Sequence, residues 1–464
     1  SAQCTGPRCR AQAKRCGVML SGIANASRSR SASWPLTALI GGVPLWWALG
    51  AGSMVWIAFA IPMGLRLLTR TPLRVPRGFG LWFLFLAWMV ASVTQVEGVR
   101  YLSFAYRGLL YLSATVMFLF IYNLTEEELP KARLIKLATI YFLWGTIGGY
   151  LGLILGEVGF TSVVEMMLPE SILENSFARD LVHPVFAQDQ DFLGFVLSRP
   201  SAPFVYTNEW GAAMAVLFPV VIAGWSYLDR RWHAWSVLMV IAFLVPAILS
   251  VNRGLWVCVV FAGTYGSLLM ARRFGRRNLA LLGIAAVLLG VVVLFTPLRA
   301  AAEGRFDSPH SNNARLSLYS QVLDQIPDSP LLGFGAPTTN VERPLQPAVG
   351  THGQFWTVLY SHGIPAAIFF VLFILSLLKR TFRRRNKVDI WLHVSVALIP
   401  LMMWFYEMLA PPLFIVFLAA ATSLRSNPDE NSDNDDGPDP GELVVLEPSD
   451  DTTTPKTLRA ALAL

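Results

Sequence analysis

About twelve apolar runs, each near the length needed to cross a bilayer, divide this chain between residues 35 and 425 and leave room for little else. They fall at 35–49, 50–66, 78–94, 101–122, 133–155, 207–227, 233–250, 254–271, 278–296, 353–378, 388–407 and 410–425, the first two short and poorly separated. With 54% hydrophobic and only 14% charged residues, the composition excludes an ordinary soluble domain. The expected fold class is an all-α polytopic membrane protein of about 12 transmembrane helices. Two long extracytoplasmic loops, about 156–206 and 297–352, interrupt it, the second partly helical through Leu316 to Ile326. Trp34, Trp210, Trp232 and Trp391 lie near span ends, where amphipathic rings favour the membrane interface.

Alternating the spans from a cytoplasmic start puts most of the 37 lysines and arginines on one side. The clusters at 66–77, 131–136, 230–231, 272–277 and 379–387 all fall there, as does the arginine-rich N-terminal segment. Because short basic loops are retained in the cytoplasm, both termini are expected there, with the two long loops on the outer face. The net charge of +7 then reflects topology, and no nucleic-acid partner is implied. Residues 1–34 read as a disordered basic cytoplasmic tail, 35–425 as the membrane domain, and 426–464 as a disordered acidic tail too polar to pack. Cys4, Cys9 and Cys16 match no zinc spacing and Cys258 sits within a span, so no metal site and no cofactor are expected.

Ser250-Val251-Asn252-Arg253-Gly254 places a guanidinium at the outer mouth of a span. The exposed N–H groups of a helix start make a cation there unfavourable unless an anion arrives. Arg315, Arg305 and Arg199 fall on the same face, and the guanidinium fork matches phosphate oxygens in pairs. Each alone is an ordinary solvated loop charge; four on one side are less easily dismissed. His352, with Thr351 before it as an expected cap, opens a span where the helix dipole should keep the ring neutral. A neutral imidazole is a general-base candidate. His310 and His362 are weaker rivals, the first in the loop and the second deeper in the span. Arg107 lies within a span, where a charge faces the bundle interior or a watery cavity. It could reach a lipid diphosphate or pair with Glu97 or Glu157. Asp189 and Asp191 form a D-x-D triplet in a polar loop, a pattern too short to imply a metal.

In combination and order, these motifs resemble the O-antigen ligase and O-antigen polymerase superfamily of bacterial membrane glycosyltransferases. The resemblance rests on Ser250 to Gly254, on Asn313-Ala314-Arg315 through Pro330-Leu331-Leu332-Gly333-Phe334-Gly335, and on His352 followed by Tyr360-Ser361-His362-Gly363-Ile364. Arg199 to Asn208 also looks like the family's segment before a span. Two departures stand out: Gly353 where the family usually has asparagine, and Glu209 at a spot often apolar. The resemblance implies inverting, metal-independent transfer of a glycan from a polyprenyl diphosphate carrier to a sugar hydroxyl of a glycan or glycolipid acceptor. The place would be the outer face of the cytoplasmic membrane of a bacterium. Arg253 and Arg315 would hold the diphosphate, His352 would take the acceptor proton, and Arg199, Arg107, Arg305, Asn313 and His310 could touch substrate. An exporter or flippase of lipid-linked glycan would also need many spans and a basic cavity, but with charges deep in its helices.

Overall fold

The computed structural model describes residues 32–192, 195–276, 279–280, 283, 310–338, 348–384 and 386–425; side chains at 191, 192, 195 and 310–314 are outside the description. The fold is mostly helical. In chain order the principal elements are α1 (Val55–Leu68), α2 (Phe79–Ala91), α3 (Arg100–Asn123), α4 (Lys131–Leu155), strands β1 (Ala187–Phe192) and β2 (Phe195–Pro200), α5 (Thr207–Trp225), α6 (Arg230–Leu249), α7 (Arg253–Phe274), α8 (His310–Gln325), α9 (Gln354–Arg383), α10 (Lys387–Ala397) and α11 (Pro412–Leu424). Among the described residues six helices, α3 to α7 and α9, are long and apolar enough to cross a membrane, and α1, α2 and α11 are shorter apolar helices. The run at 278–296, the two tails and Arg305 lie outside the described residues. The run at 388–407 does not form one helix: α10 ends at Ala397, a single turn Ile399–Met402 follows, and the chain then turns irregularly through 403–411.

α5 is the hub of the bundle, packing against α4, α6, α7, α10 and α11. It is rich in small residues, Gly211, Ala212, Ala213, Ala215, Ala223 and Gly224, which let neighbouring backbones come close. By contrast α6 leaves Trp235, Leu238, Ile241 and Val245 exposed at helical spacing, an apolar stripe suited to lipid. At the basic end of the bundle, buried Lys131 pairs with Asp389 at 3.4 Å, and Arg425 pairs with Glu126. The opposite end carries the hairpin and the starts of α5, α7 and α9.

The hairpin corrects the all-α expectation. β1 and β2 pair antiparallel from Ala187↔Pro200 to Phe192↔Phe195. Neither strand alternates, β1 being polar along most of its length and β2 having its apolar residues consecutive at Phe195-Val196-Leu197, and a lone hairpin is marginal in water. This one is seated on α4 instead, where a side chain at Gly152 would fall 2.6 Å from Phe186 O and 2.9 Å from Pro200 Cα.

α9 is broken at Gly363 (φ 80°), followed by Pro365, which has no N–H to offer Ser361 O. The broken ladder is repaired from outside. Ile364 N–H donates to Pro330 O (2.8 Å), while the freed carbonyls of Tyr360 and Ser361 accept from Phe334 N–H (2.9 Å) and Gly335 N–H (2.7 Å). A Cβ at Gly363 would sit 2.3 Å from Leu331 O, so glycine is required on both conformational and steric grounds. Two motifs of the sequence, Pro330 to Gly335 and Tyr360 to Ile364, are therefore one structural unit. Irregular backbone at this depth is tolerated because protein groups satisfy it.

Candidate functional site

The turn between α6 and α7 is sharp enough to force Val251, a β-branched residue, to φ 50°. Such a conformation is a genuine outlier for valine and costs energy that the surroundings must supply. What it achieves is placement. Asn252 lands in extended geometry, its Oδ1 accepting the Leu255 N–H at 3.3 Å as N-cap, and Arg253 becomes the first residue of α7. Tyr406 Oη also donates to Asn252 Oδ1, and Asn252 Nδ2 donates to Thr207 O at 3.4 Å. The fit has no slack, since a Cβ at Gly254 would fall 2.6 Å from Tyr406 Oη and one at Gly211 2.3 Å from Asn252 Nδ2.

Arg199 approaches from β2. Its Nε donates to Ser250 O (3.0 Å) and its Nη1 to Gln190 Oε1 (2.8 Å), which locks the guanidinium to the strained turn and to the opposite strand. Burial, with Arg315 and Arg253 nearby, pulls its pKa down to about 10. It remains charged at neutral pH. Arg199, Arg253 and Arg315 line one cavity of about 200 Å³ together with Asn208, Asn252, Gly254, Val257, Phe405 and Tyr406. Among these described lining residues there are three cationic groups and no carboxylate.

His352 is not among the residues that line this cavity, although the Arg315 charge acts on its ring. Burial first, and Arg315 second, lower its pKa to about 4, so the ring is neutral at pH 7. The expected cause, a helix dipole with Thr351 as cap, is replaced. The N-cap of α9 is Gly353, and Thr351 Oγ1 donates to Ala348 O (2.6 Å) and lies 3.1 Å from His352 Nδ1. With its own hydrogen used, that hydroxyl can only accept from the ring, which assigns the proton to Nδ1 and leaves Nε2 as the basic atom.

The departure at Gly353 has a local reason. Its φ of 96° suits glycine, and a Cβ would lie 2.5 Å from Trp404 O. Gly353→Asn, which restores the residue more usual in the resembling family, is expected to destabilise this protein by about 1–3 kcal/mol. Thermal unfolding in detergent checks it; an unchanged midpoint would show that the 404 turn yields freely.

The remaining candidates fall elsewhere. Arg107 is buried and pairs with Glu407, not with Glu97 or Glu157. Its partner lies 300 positions away in sequence. His362 is 5% exposed, its Nδ1 2.7 Å from Ser92 Oγ and its ring edge-on to Phe85 and Phe104. The backbones of His310 and Asn313 belong to α8, their side chains lying outside the described residues, as does Arg305 entirely. Asp189 is exposed on β1, and no group of three or more potential metal-ligating side chains occurs among the described residues. Sequence reading missed Asn208, Phe405 and Tyr406 in the cavity wall. Asn208 at the start of α5 carried a weak signal, whereas 405–406 looked like the end of an apolar span.

Residues 238–371 match a family model described as O-Antigen ligase. The matched range contains Arg253, Arg315, His352 and the stapled break in α9, and stops short of Tyr406. A comparison with curated proteins found no match. The chain is thus similar to O-antigen ligases over residues 238–371, on a bundle in which six helices among the described residues are long and apolar enough to cross a membrane.

Proposed function

We propose that this protein transfers a glycan from a polyprenyl diphosphate carrier to a sugar hydroxyl, with inversion and without a metal, at the outer face of a bacterial cytoplasmic membrane. The observation that carries the reading is the meeting of Arg199, Arg253 and Arg315 in one cavity, with a neutral imidazole that feels the charge of Arg315. As the bond between the anomeric carbon and the diphosphate oxygen breaks, the leaving group takes the electron pair and gains charge. Fixed guanidinium groups then stabilise the transition state more than the ground state. The acceptor oxygen forms the new bond to that carbon from the opposite side, and its proton passes to Nε2 of His352. Basic short loops on one side of the sequence support a cytoplasmic location for both termini, leaving this cavity outside.

The test is purified protein supplied with a synthetic polyprenyl diphosphate sugar and candidate acceptors in chelator, with anomeric configuration read from the product. An inverted glycoside is expected; a retained configuration, or dependence on divalent cation, would overturn the mechanism. The pH profile provides a second check. A base whose folded pKa lies near 4 is already deprotonated well below neutrality, so activity should persist down through pH 6.5 and fall only as pH approaches about 4. An acid limb centred near 6.5 would mean that His352 is solvated like a free imidazole.

A further inference from the structure

The irregular turn at 403–408 bonds to α8, to the start of α9 and to the cap of α7. Trp404 O accepts from Tyr319 Oη (2.9 Å), and Tyr319 lies four residues, about one helical turn, beyond Arg315 on α8. The same carbonyl accepts from Trp356 Nε1 (3.2 Å), on whose ring Tyr319 stacks at 4.7 Å. Tyr406 O and Met403 O accept the first two N–H groups of α9, from Gln354 (2.8 Å) and Phe355 (2.9 Å), just after His352. Gln354 Oε1 in return accepts from Met408 N–H (2.9 Å), and its Nε2 donates to Tyr111 Oη (2.5 Å). Tyr406 Oη reaches the third element, the Asn252 cap before Arg253.

Three like charges around one cavity repel each other, so the elements that carry them need a common anchor if the site is to be formed before substrate arrives. We infer that Tyr406 is a positioning residue, whose hydroxyl ties the start of α7 to the turn that already holds α8 and the His352 segment, and so sets the spacing of Arg253 and Arg315 for a diphosphate. This rests on the function proposed above and adds to it a residue outside the matched domain. Tyr406 moves no proton in the reaction.

Tyr406→Phe keeps the ring in place and removes only the O–H. In detergent-purified protein, farnesyl diphosphate, a short probe of the carrier headgroup, should bind about tenfold more weakly, which corresponds to about 1.4 kcal/mol and is the scale of one buried hydrogen bond. Farnesyl monophosphate should change little, because one phosphate does not need two arginines at a fixed separation, and the KM for acceptor should stay at its wild-type value. Equal affinity of variant and wild type for the diphosphate would overturn the assignment. So would equal losses for both probes, which would mean general slackening. If Tyr406→Phe fails to fold, Gly254→Ala attacks the same contact from the other side, its methyl falling 2.6 Å from Tyr406 Oη. The same selective loss is expected there, and undiminished selectivity for the diphosphate would overturn the idea. Wild-type protein that transfers no glycan and binds neither probe would instead remove the proposed function, and the need for this spacing with it.

Discussion

Replacing His352 by alanine is expected to cut glycan transfer by about 10²- to 10⁴-fold, the usual worth of a positioned general base, while membrane insertion and folding stay intact. The ring's one described hydrogen bond is to the neighbouring Thr351 hydroxyl, so its loss leaves no distant group without a partner. His362 makes the opposite prediction. That ring is packed between Phe85 and Phe104 and bonded to Ser92, and His362→Ala should lower the yield of folded protein before it touches the rate. Measuring turnover and thermal midpoint for both variants separates the two roles. Full turnover by the His352 variant would end its assignment as base, and a normal diphosphate affinity in the same variant is required if Arg253 and Arg315 act independently of it.

Parts of this arrangement were legible in the sequence because they violate the chemistry of their surroundings. Arg253 stands out as a charge at the start of an apolar run, and the long runs themselves announce helices such as α5 and α7. Other parts were invisible for reasons that recur. The 403–408 turn works chiefly through backbone carbonyls, which side-chain patterns do not report, and it hides within a run that reads as a single span. Arg107 suggested a lipid diphosphate, Glu97 or Glu157 as partners, whereas the fold supplies Glu407. Thr351 had the residue type of a helix cap, yet Gly353 takes that place because the Trp404 carbonyl leaves room for nothing larger. The hairpin gave no alternating pattern, since its strands owe their place to the glycine of α4 beneath them.

Arg253→Lys is the other large expected loss, about 10- to 100-fold in kcat/KM, as when a charge-assisted hydrogen bond worth about 1.5–3 kcal/mol is removed. Lysine keeps the charge but presents a single nitrogen where the guanidinium offers a planar fork. Because Asn252 fixes the start of α7, the substituted side chain begins from the same point and cannot recover the second contact by a shift of the helix. Arg199 is a poor substitute for this experiment, since two of its nitrogens already serve Ser250 and Gln190 and its loss would disturb the turn itself. The kinetic form of the defect is informative. If Arg253 acts on the departing diphosphate as charge develops, kcat and kcat/KM should fall together, whereas a rise in KM alone would mean that it holds donor and transition state equally well. Wild-type turnover in the lysine variant would show that a point charge is enough at this position and would leave the fork without a role.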